Sequence, residues 1–575
     1  MSLTSSLLIG QTALTASQVA LQVTGNNLAN AATPGYHRQR VDLSTIAGQR
    51  QGNVFTGRGV QVSDIRRVVD PALQARIRGA IAQEQAADVE YRLLSSIESL
   101  TSELTGTDLS SQLSKFFNSF SEIANNPASA VMRSNVIEEG AALASYMRGL
   151  RTDLLQTRSQ VDAELATNVK QADGLVRQIA NLNEAISTSE VGNGQNSSLR
   201  DQRDELVRQL SELFEVSVIE QPSGSVDVLI DSQPVVVGSV SRGLELRLRE
   251  VNGEPQVDVL ISSSRASLNV TGGRIGALLA GRTGNVQEAI DSLDSVASAL
   301  IYEVNKLHTV GRPAGRITDQ TGWLVVPPAD QTLAFNDPTN TALSGLPFRP
   351  TNGSFTVTMH DASGNKTTTT ILVDLDGVDN SGNPGFGDDM SLEDLRAALD
   401  AVPDLNAEIT ADGRLRLYTD QGADVSFGDD TSGVLAVLGI NTYFQGSSAQ
   451  DIAIRSDLRN DPSKLTIGMV DGTNETALAI AQLRDKKVTS LAGLSIQDSW
   501  QQFSDKSAVR TAGAAVRVGA LSGVRASLEA QESALGGVSV DEESINLLKY
   551  QQQYQGAARF ISVIDEMTQI LLGLV

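Results

Sequence analysis

Leucine recurs every seven positions at the start of this chain, at Leu7, Leu14, Leu21 and Leu28, and the first 37 residues contain no Asp, Glu, Lys or Arg. Leu3 lies one turn before Leu7. At the other end Leu547, Tyr550, Tyr554, Ala557, Ile561, Ile564, Leu571 and Val575 follow steps of three and four, with Thr568 the weak point. This spacing predicts one apolar helical stripe at each terminus. Neither stripe has a partner nearby in sequence. A surface helix of an ordinary enzyme carries a charged outer face, which the first 37 residues lack. Burying four leucines does not offset the ordering of two dozen residues in water. The isolated N-terminal segment is therefore expected to be disordered, and to become helical against the C-terminal stripe and neighbouring subunits.

Between the termini the period changes several times. Gly57, Gly59, Val60, Val62 and Ile65 read as a strand. Asp70-Pro71 predicts a helix start, with Asp70 as cap and Pro71 in the first position. Leu73, Ile77, Tyr91 and Leu94 mark its inner side, and a second helix follows Asp108. The longest stripe runs Leu143, Met147, Leu150, Leu154, Thr157, Val161. It resumes as Leu165, Asn168, Ala172, Leu175, Ile179, Leu182, Ile186, and the extra step of four between Val161 and Leu165 is a coiled-coil stutter. Gly192-Asn193-Gly194 predicts a reversal, and Leu199 to Phe214 an antiparallel return. From Val216 to Val270 the period is two, with Val226, Val228, Ile230 and then Leu244, Leu246, Leu248 alternating. Pro222, Gly224, Gly238 and Gly253 punctuate this small β unit. Helical spacing returns from Arg274 to Leu307.

Pro, Gly and Asn become dense from Gly311 to Gly353, which marks a boundary. Beyond it Phe355, Val357 and Met359 alternate as one strand, and Ile371-Leu372-Val373 forms another. Ser391 caps a short helix with Leu392, Leu395 and Leu399 inside. Asp412-Gly413 turns a hairpin between Ile409 and Leu415. Helical pattern resumes from Thr476 through Leu535 and breaks at Gly536-Gly537. The expected architecture is a multidomain α+β chain. A terminal α-helical coiled-coil domain takes 1–66 and 536–575. A long helical rod takes 67–345 and 452–535, with its β unit at about 215–270. A mixed α/β insert takes 346–451. This nesting puts both termini at one end and the insert at the other, on the outer surface of any tubular polymer.

Composition narrows the function. The net charge is −23 and the pI about 4.6, which argues against nucleic acid and anionic membrane as partners. No segment has the apolar length to span a membrane, and the N-terminus lacks the positive region of a secretory signal. There is no cysteine, so disulfides, thiol catalysis and Cys-type zinc sites are excluded. Aromatics make up only 4%, low for an enzyme with deep apolar pockets. The three histidines, His37, His308 and His360, show no metal-ligand spacing, and His37 reads as a plain surface or interface residue. Asp374-Leu375-Asp376-Gly377-Val378-Asp379-Asn380 resembles a calcium loop. Val378 stands where an oxygen ligand belongs, however, and no Glu stands twelfth, so a solvated acidic loop is the better reading. No catalytic, cofactor or metal residue is assigned.

The termini carry the functional signal. Thr24-Gly25-Asn26-Asn27-Leu28-Ala29-Asn30 runs into Thr33-Pro34-Gly35-Tyr36. The residue before proline leaves the α region, Pro34-Gly35 suits the centre of a tight turn, and Asn26, Asn27 and Asn30 can bond local or neighbouring backbone. Near the other end stands Asp541-Glu542-Glu543-Ser544-Ile545-Asn546-Leu547-Leu548-Lys549-Tyr550-Gln551-Gln552-Gln553-Tyr554-Gln555. Together these resemble the paired terminal signatures of the bacterial flagellar rod, hook and hook-associated axial proteins, and the long helical segments resemble the hook-associated members. The resemblance implies a structural part that joins hook to filament, with no enzyme activity and no cofactor. It implies export by the flagellar type III route to an extracellular position at the hook–filament junction. The implied partners are other copies of the chain in a ring, hook subunits, a second hook-associated junction protein, and an export chaperone at the C-terminal helix. The implied subunit-interface residues are Leu7, Leu14, Leu21, Leu28, Asn26, Asn27, Asn30, Pro34, Gly35, Tyr36, Leu547, Tyr550, Tyr554, Ala557, Ile561, Ile564 and Leu571. Two alternatives stand beside this reading: another axial subunit of hook or rod type, and a secreted enzyme carried by the insert.

Overall fold

Asp70 Oδ1 accepts the backbone N–H of Ala72 at 2.9 Å and of Leu73 at 3.3 Å, and a helix starts at Pro71. Asp108 caps the next helix through the N–H of Ser111 at 2.7 Å. Ser391 and Asp394 form a reciprocal capping box of the kind that satisfies two orphan donors at once. In the computed structural model the described residues are 3–51, 54–101, 106–191, 194–251, 254–361, 363–379, 381–420, 422–470 and 472–573. The reversal at Gly192-Asn193 and the positions Gly253, Asn380 and Val575 lie outside them.

Among the described residues the helices are α1 (Leu3–Ala29), α2 (Pro71–Thr101), α3 (Leu109–Asn125), α4 (Ala130–Ser189), α5 (Ser197–Leu213), α6 (Gly273–Gly281) and α7 (Gln287–His308). They continue as α8 (Thr341–Ser344), α9 (Leu392–Asp400), α10 (Val434–Leu438), α11 (Ser456–Asn460), α12 (Glu475–Gln482), α13 (Ile496–Gly536) and α14 (Val540–Leu572). Helix and strand mix as the α+β class requires. The chain forms two compact units, one of residues 1–92, 160–282 and 512–575, the other of residues 93–159 and 283–511.

The first unit holds both termini. Strands Gln39–Thr45 and Val60–Arg67 pair antiparallel after α1. Strands Val216–Glu220, Val226–Ile230, Gln233–Val237 and Val240–Ser241 form a four-stranded sheet in sequence order. Asn183, fully buried on α4, ties that sheet down. It donates to Val226 O and Gly238 O at 2.7 Å each and accepts the N–H of Val226 at 3.1 Å. Leu244–Val251 and Glu254–Ile261 form a hairpin. Its expected alternation fades along the strand, for Leu244 is buried and Leu248 exposed.

The second unit is built on one continuous core. Strand Gly353–His360 lies between Lys366–Val373 and Asp424–Gly428, with Phe355, Val357 and Met359 all turned inward. Leu405–Ile409 and Leu415–Thr419 pair across the Asp412-Gly413 turn, and Asp319–Thr321 adds a third strand from outside the expected insert. The segment from Val434 to Phe444 goes a different way from the rest of the insert. Tyr443 sits edge-on to Phe444 and Phe120, and its hydroxyl donates to the carbonyl of Val136 on α4 at 2.6 Å. A side chain at Gly140 would run into the Tyr443 ring. The helix expected from Thr476 to Leu535 is interrupted between α12 and α13. There Val488 and Leu494 bridge, and Ala492 takes a left-handed φ of 54°, a conformation that ends a helix.

Candidate assembly interface

The turn after α1 is built as its sequence dictates. Tyr36 N–H donates to Thr33 O at 3.2 Å, and Gly35 takes φ 73°, the left-handed position that a type II turn reserves for glycine. The turn brings Tyr36, Arg38 and Gln39 back to Asn27, which is buried and uses its whole amide. Its Oδ1 accepts from Tyr36 Oη at 2.8 Å and from Gln39 N–H at 2.9 Å. Its Nδ2 donates to Gln39 O at 2.9 Å and to Glu543 Oε2 at 3.1 Å. Arg38 completes the join, placing Nη2 2.7 Å from Glu543 Oε1 and Nη1 2.9 Å from Glu542 Oε2. Its backbone N–H donates to Gly536 O at 3.0 Å. The two terminal signatures are thus bonded to each other across more than 500 residues of chain. Burial and the charges of Asp201 and Glu543 push the Tyr36 phenol up to about 12, so it stays a donor. Asn26 and Asn30 are the outer pair, with Asn30 Nδ2 donating to Asn26 O at 2.9 Å and Asn26 Nδ2 to Tyr36 Oη at 3.3 Å. Glu543→Gln removes the charge shared by Arg38 and Asn27. It should cost about 1.5–3 kcal/mol, the worth of a hydrogen bond to a charged group, read as a lower denaturant midpoint.

α1 and α14 pair directly. On α1 the covered face is Gly10, Ala16, Ser17, Ala20, Val23, Thr24 and Asn27. These residues are small, which lets the two helices approach closely. A Cβ at Gly10 would lie 2.7 Å from Ile561 Cγ1 and 3.1 Å from Phe560 Cδ1. The leucine row lies three residues, about 60° of helix, away from this face. Leu14 and Leu21 are half-buried, and Leu7 and Leu28 are exposed at 38% and 36%. On α14, Ala557 and Ile564 are buried, Leu547, Tyr550 and Ile561 half-buried, and Tyr554 and Leu571 exposed. Pro34 and Gly35 are exposed and Tyr36 is half-buried. The outward face of α14 is also apolar: Ile545, Leu548, Val563, Met567 and Ile570 are each at least half exposed.

His37, expected as a plain surface or interface residue, is buried in the single chain. Its Nδ1 lies 2.8 Å from Asp201 Oδ1 on α5 and its Nε2 3.5 Å from Glu532 Oε1 on α13. Arg67 bonds the same Asp201 at 2.8 Å and Asp204 at 2.7 Å. Sequence spacing gave no signal for this cluster, because its members stand far apart in the chain and share no period.

The other two histidines and the acidic loop find partners within the fold. His308 is fully buried. Thr466 N–H donates to its Nε2 at 3.0 Å, so Nδ1 donates to Asn441 O at 2.8 Å. Burial pushes this imidazole down to about 4 and keeps it neutral. His360 Nε2 lies 2.9 Å from Ser426 Oγ. Asp374, Asp376 and Asp389 converge among the described residues. Asp376 accepts the N–H of Val378 at 2.8 Å, and Asp389 accepts Asn336 Nδ2 at 2.7 Å and the N–H of Gly377. Asp376 and Asp389 thus each bond the loop's own backbone.

Residues 94–319 match the family described as "Flagellar hook-associated protein FlgK helical domain". Residues 7–37 match "Flagella basal body rod protein", and residues 536–574 match "Flagellar basal body rod FlgEFG protein C-terminal". The chain is 23% identical to flagellar hook-associated protein 1 of Salmonella typhimurium, over 98% of each chain. It is 22% identical to that of Escherichia coli, again over 98% of each. It is 34% identical to that of Bacillus subtilis over 37% of this chain and 43% of the relative. Joined terminal helices and these matched ends define an axial protein of the bacterial flagellum. The ends alone are shared with rod-type proteins, whereas the match over residues 94–319 is to the hook-associated helical domain. These matches support a flagellar hook-associated junction protein, a structural component of the flagellum.

Proposed function

We propose that the chain is the structural adaptor joining hook to filament, and that the paired terminal helices are its polymerisation surface. One observation carries this reading. The inner face of the α1–α14 pair is made of small residues, while its outer faces present Leu7, Leu8, Leu28, Ile545, Leu548, Val563, Met567 and Ile570 to solvent. Exposed apolar rows of this length on a folded chain mark an interaction surface. The intrachain pair has already used the small residues, which leaves the leucine row for neighbouring subunits. A groove of about 450 Å³ lined by Gly10, Ala13, Leu43, Val60, Tyr550 and Phe560 offers such a neighbour a place for an apolar side chain.

On this reading the copies form a ring in the flagellar tube, with hook subunits on one side and the second hook-associated junction protein on the other. The chain leaves the cell through the flagellar export channel. The exposed Gln551-Gln552-Gln553 run on α14 meets the export chaperone before it meets a neighbour. The terminal helices form the inner layer, the helical segments the rod, and residues 346–451 the outer surface. A variant carrying Leu7→Lys and Leu28→Lys tests the polymerisation surface. Both positions are exposed in the single chain, so its stability should change by less than about 0.5 kcal/mol per substitution. The chain should still be exported but fail to assemble, and filament subunits should leak into the medium. Normal filaments and swimming in that strain would overturn the assignment.

A further inference from the structure

The groups around His37 go beyond what joining subunits requires. Its imidazole touches three elements. Nδ1 meets Asp201 of α5 at 2.8 Å, Nε2 faces Glu532 of α13 at 3.5 Å, and Gln74 of α2 lies 3.4 Å from Nε2 while also bonding Glu532. The backbone N–H of His37 also points at Asp201, at 3.4 Å. A cavity of about 300 Å³ beside the ring is walled by Gln74, Asp204, Glu205, Arg208, Glu529 and Glu532. The charged groups facing the imidazole are therefore Asp201, Asp204, Glu205 and Arg208 from α5, Glu529 and Glu532 from α13, and Arg67 from the strand Val60–Arg67. The Tyr36 phenol lies next to it. Arg67 answers Asp201 and Asp204, and Arg208 answers Glu205. Glu532 is held first by His37, with Arg208 acting on it more weakly. As the imidazolium the ring donates Nδ1–H to Asp201 and directs Nε2–H at Glu532; as the neutral ring it keeps Asp201 and turns a bare Nε2 to the Gln74 amide N–H instead.

We propose that His37 is a proton-operated fastener: as the imidazolium it clamps the turn after α1 onto α5 and the last turns of α13, and loss of its proton releases that turn. Burial opposes the charge, but the hydrogen bonds to Asp201 and Glu532 outweigh it and raise this histidine to about 9. Glu532 is held below the usual carboxylate range, first by its bond to His37. In an unfolded chain a histidine titrates near 6.5. Folding at neutral pH therefore takes up a proton at this site. The folded value is the higher one, so the clamp's stabilisation is complete below about pH 6.5 and is lost as pH rises through about 9. This device works within a single folded chain and does not depend on how copies assemble.

With only three histidines, the ring protons of full-length, histidine-labelled chain can be assigned by single substitutions and followed by NMR. One resonance should titrate near pH 9 and vanish in His37→Gln, and Asp201→Asn should move its midpoint down by about one unit or more. Between pH 7 and 10 the thermal midpoint of the natural chain should fall by roughly 5 °C more than that of His37→Gln. A His37 midpoint at or below 6.5, or parallel pH profiles for the two chains, would overturn the proposal. If His37→Gln does not fold, the titration of the natural chain and of Glu532→Gln decides: a Glu532→Gln midpoint unchanged near 9 would also overturn it.

Discussion

Ala20→Asp is expected to separate the two terminal helices. Ala20 is 1% exposed at the centre of the buried face of α1, between Ser17 and Val23 and near Leu43, Val60 and Ala557. α1 contains no Lys, Arg or His, so it supplies no side-chain cation to pair with the new carboxylate. An uncompensated buried charge costs about 3–5 kcal/mol, and the added volume forces apart helices whose close approach rests on small residues. A helix freed from its partner does not hold its shape in water. Hydrogen exchange on the folded chain should show protection lost across residues 3–29 and 540–572 while the second unit is unchanged. In cells the variant should build no junction. Protection equal to that of the natural chain would show that the two helices do not depend on this face.

Tyr443→Ala is expected to bring the largest loss in the second unit. The side chain is fully buried among Phe116, Phe120 and Phe444, and its hydroxyl bonds a main-chain carbonyl of α4. Truncating a buried aromatic to alanine costs about 3–5 kcal/mol, a fall of roughly 10 °C in the unit's melting temperature. Tyr443→Phe keeps the ring packing and loses only the hydroxyl, about 1 kcal/mol. Calorimetry of the three chains separates the two contributions. Equal midpoints for Tyr443→Ala and the natural chain would mean that Val434 to Phe444 is not part of the helical core. The same packing sets the limits of any surgery on the insert. A deletion of 346–451 would remove Tyr443 and Phe444 together with the strands of the insert, whereas a cut that stops before Gly433 spares them.

Much of this structure was legible because short-range rules govern it. Caps at Asp70, Asp108 and Ser391, the glycine turn at Asp412-Gly413 and the Pro34-Gly35 turn each depend on residues within a few positions. The stripe from Leu143 to Ile186 could be followed across its stutter because helical period persists through a slip of one step, and all but Leu182 of it is buried. The failures are long-range. The leucine spacing predicts a stripe for the C-terminal helix and for neighbouring subunits, whereas the buried face of α1 holds Gly10, Ala16 and Ala20, since close helix approach selects for small size, which no hydrophobicity pattern registers. His37 looked bland because Asp201 and Glu532 reach it only in three dimensions. The link from Asn27 to Glu543 joins two motifs that were each visible, but a hydrogen bond between distant positions has no period to find.

Asn27 also bears on how the molecule ages. Asparagine is among the residues that limit the lifetime of proteins under harsh conditions, and a hydrolysed Asn27 would turn a donor toward Glu543 into a second acceptor. Here the amide is buried, helical and held from four sides, which leaves it no freedom to cyclise onto the neighbouring backbone. The chain offers no thiol to oxidation either, having no cysteine. Of the three asparagines in this joint, the one buried at its centre is also the most tightly held.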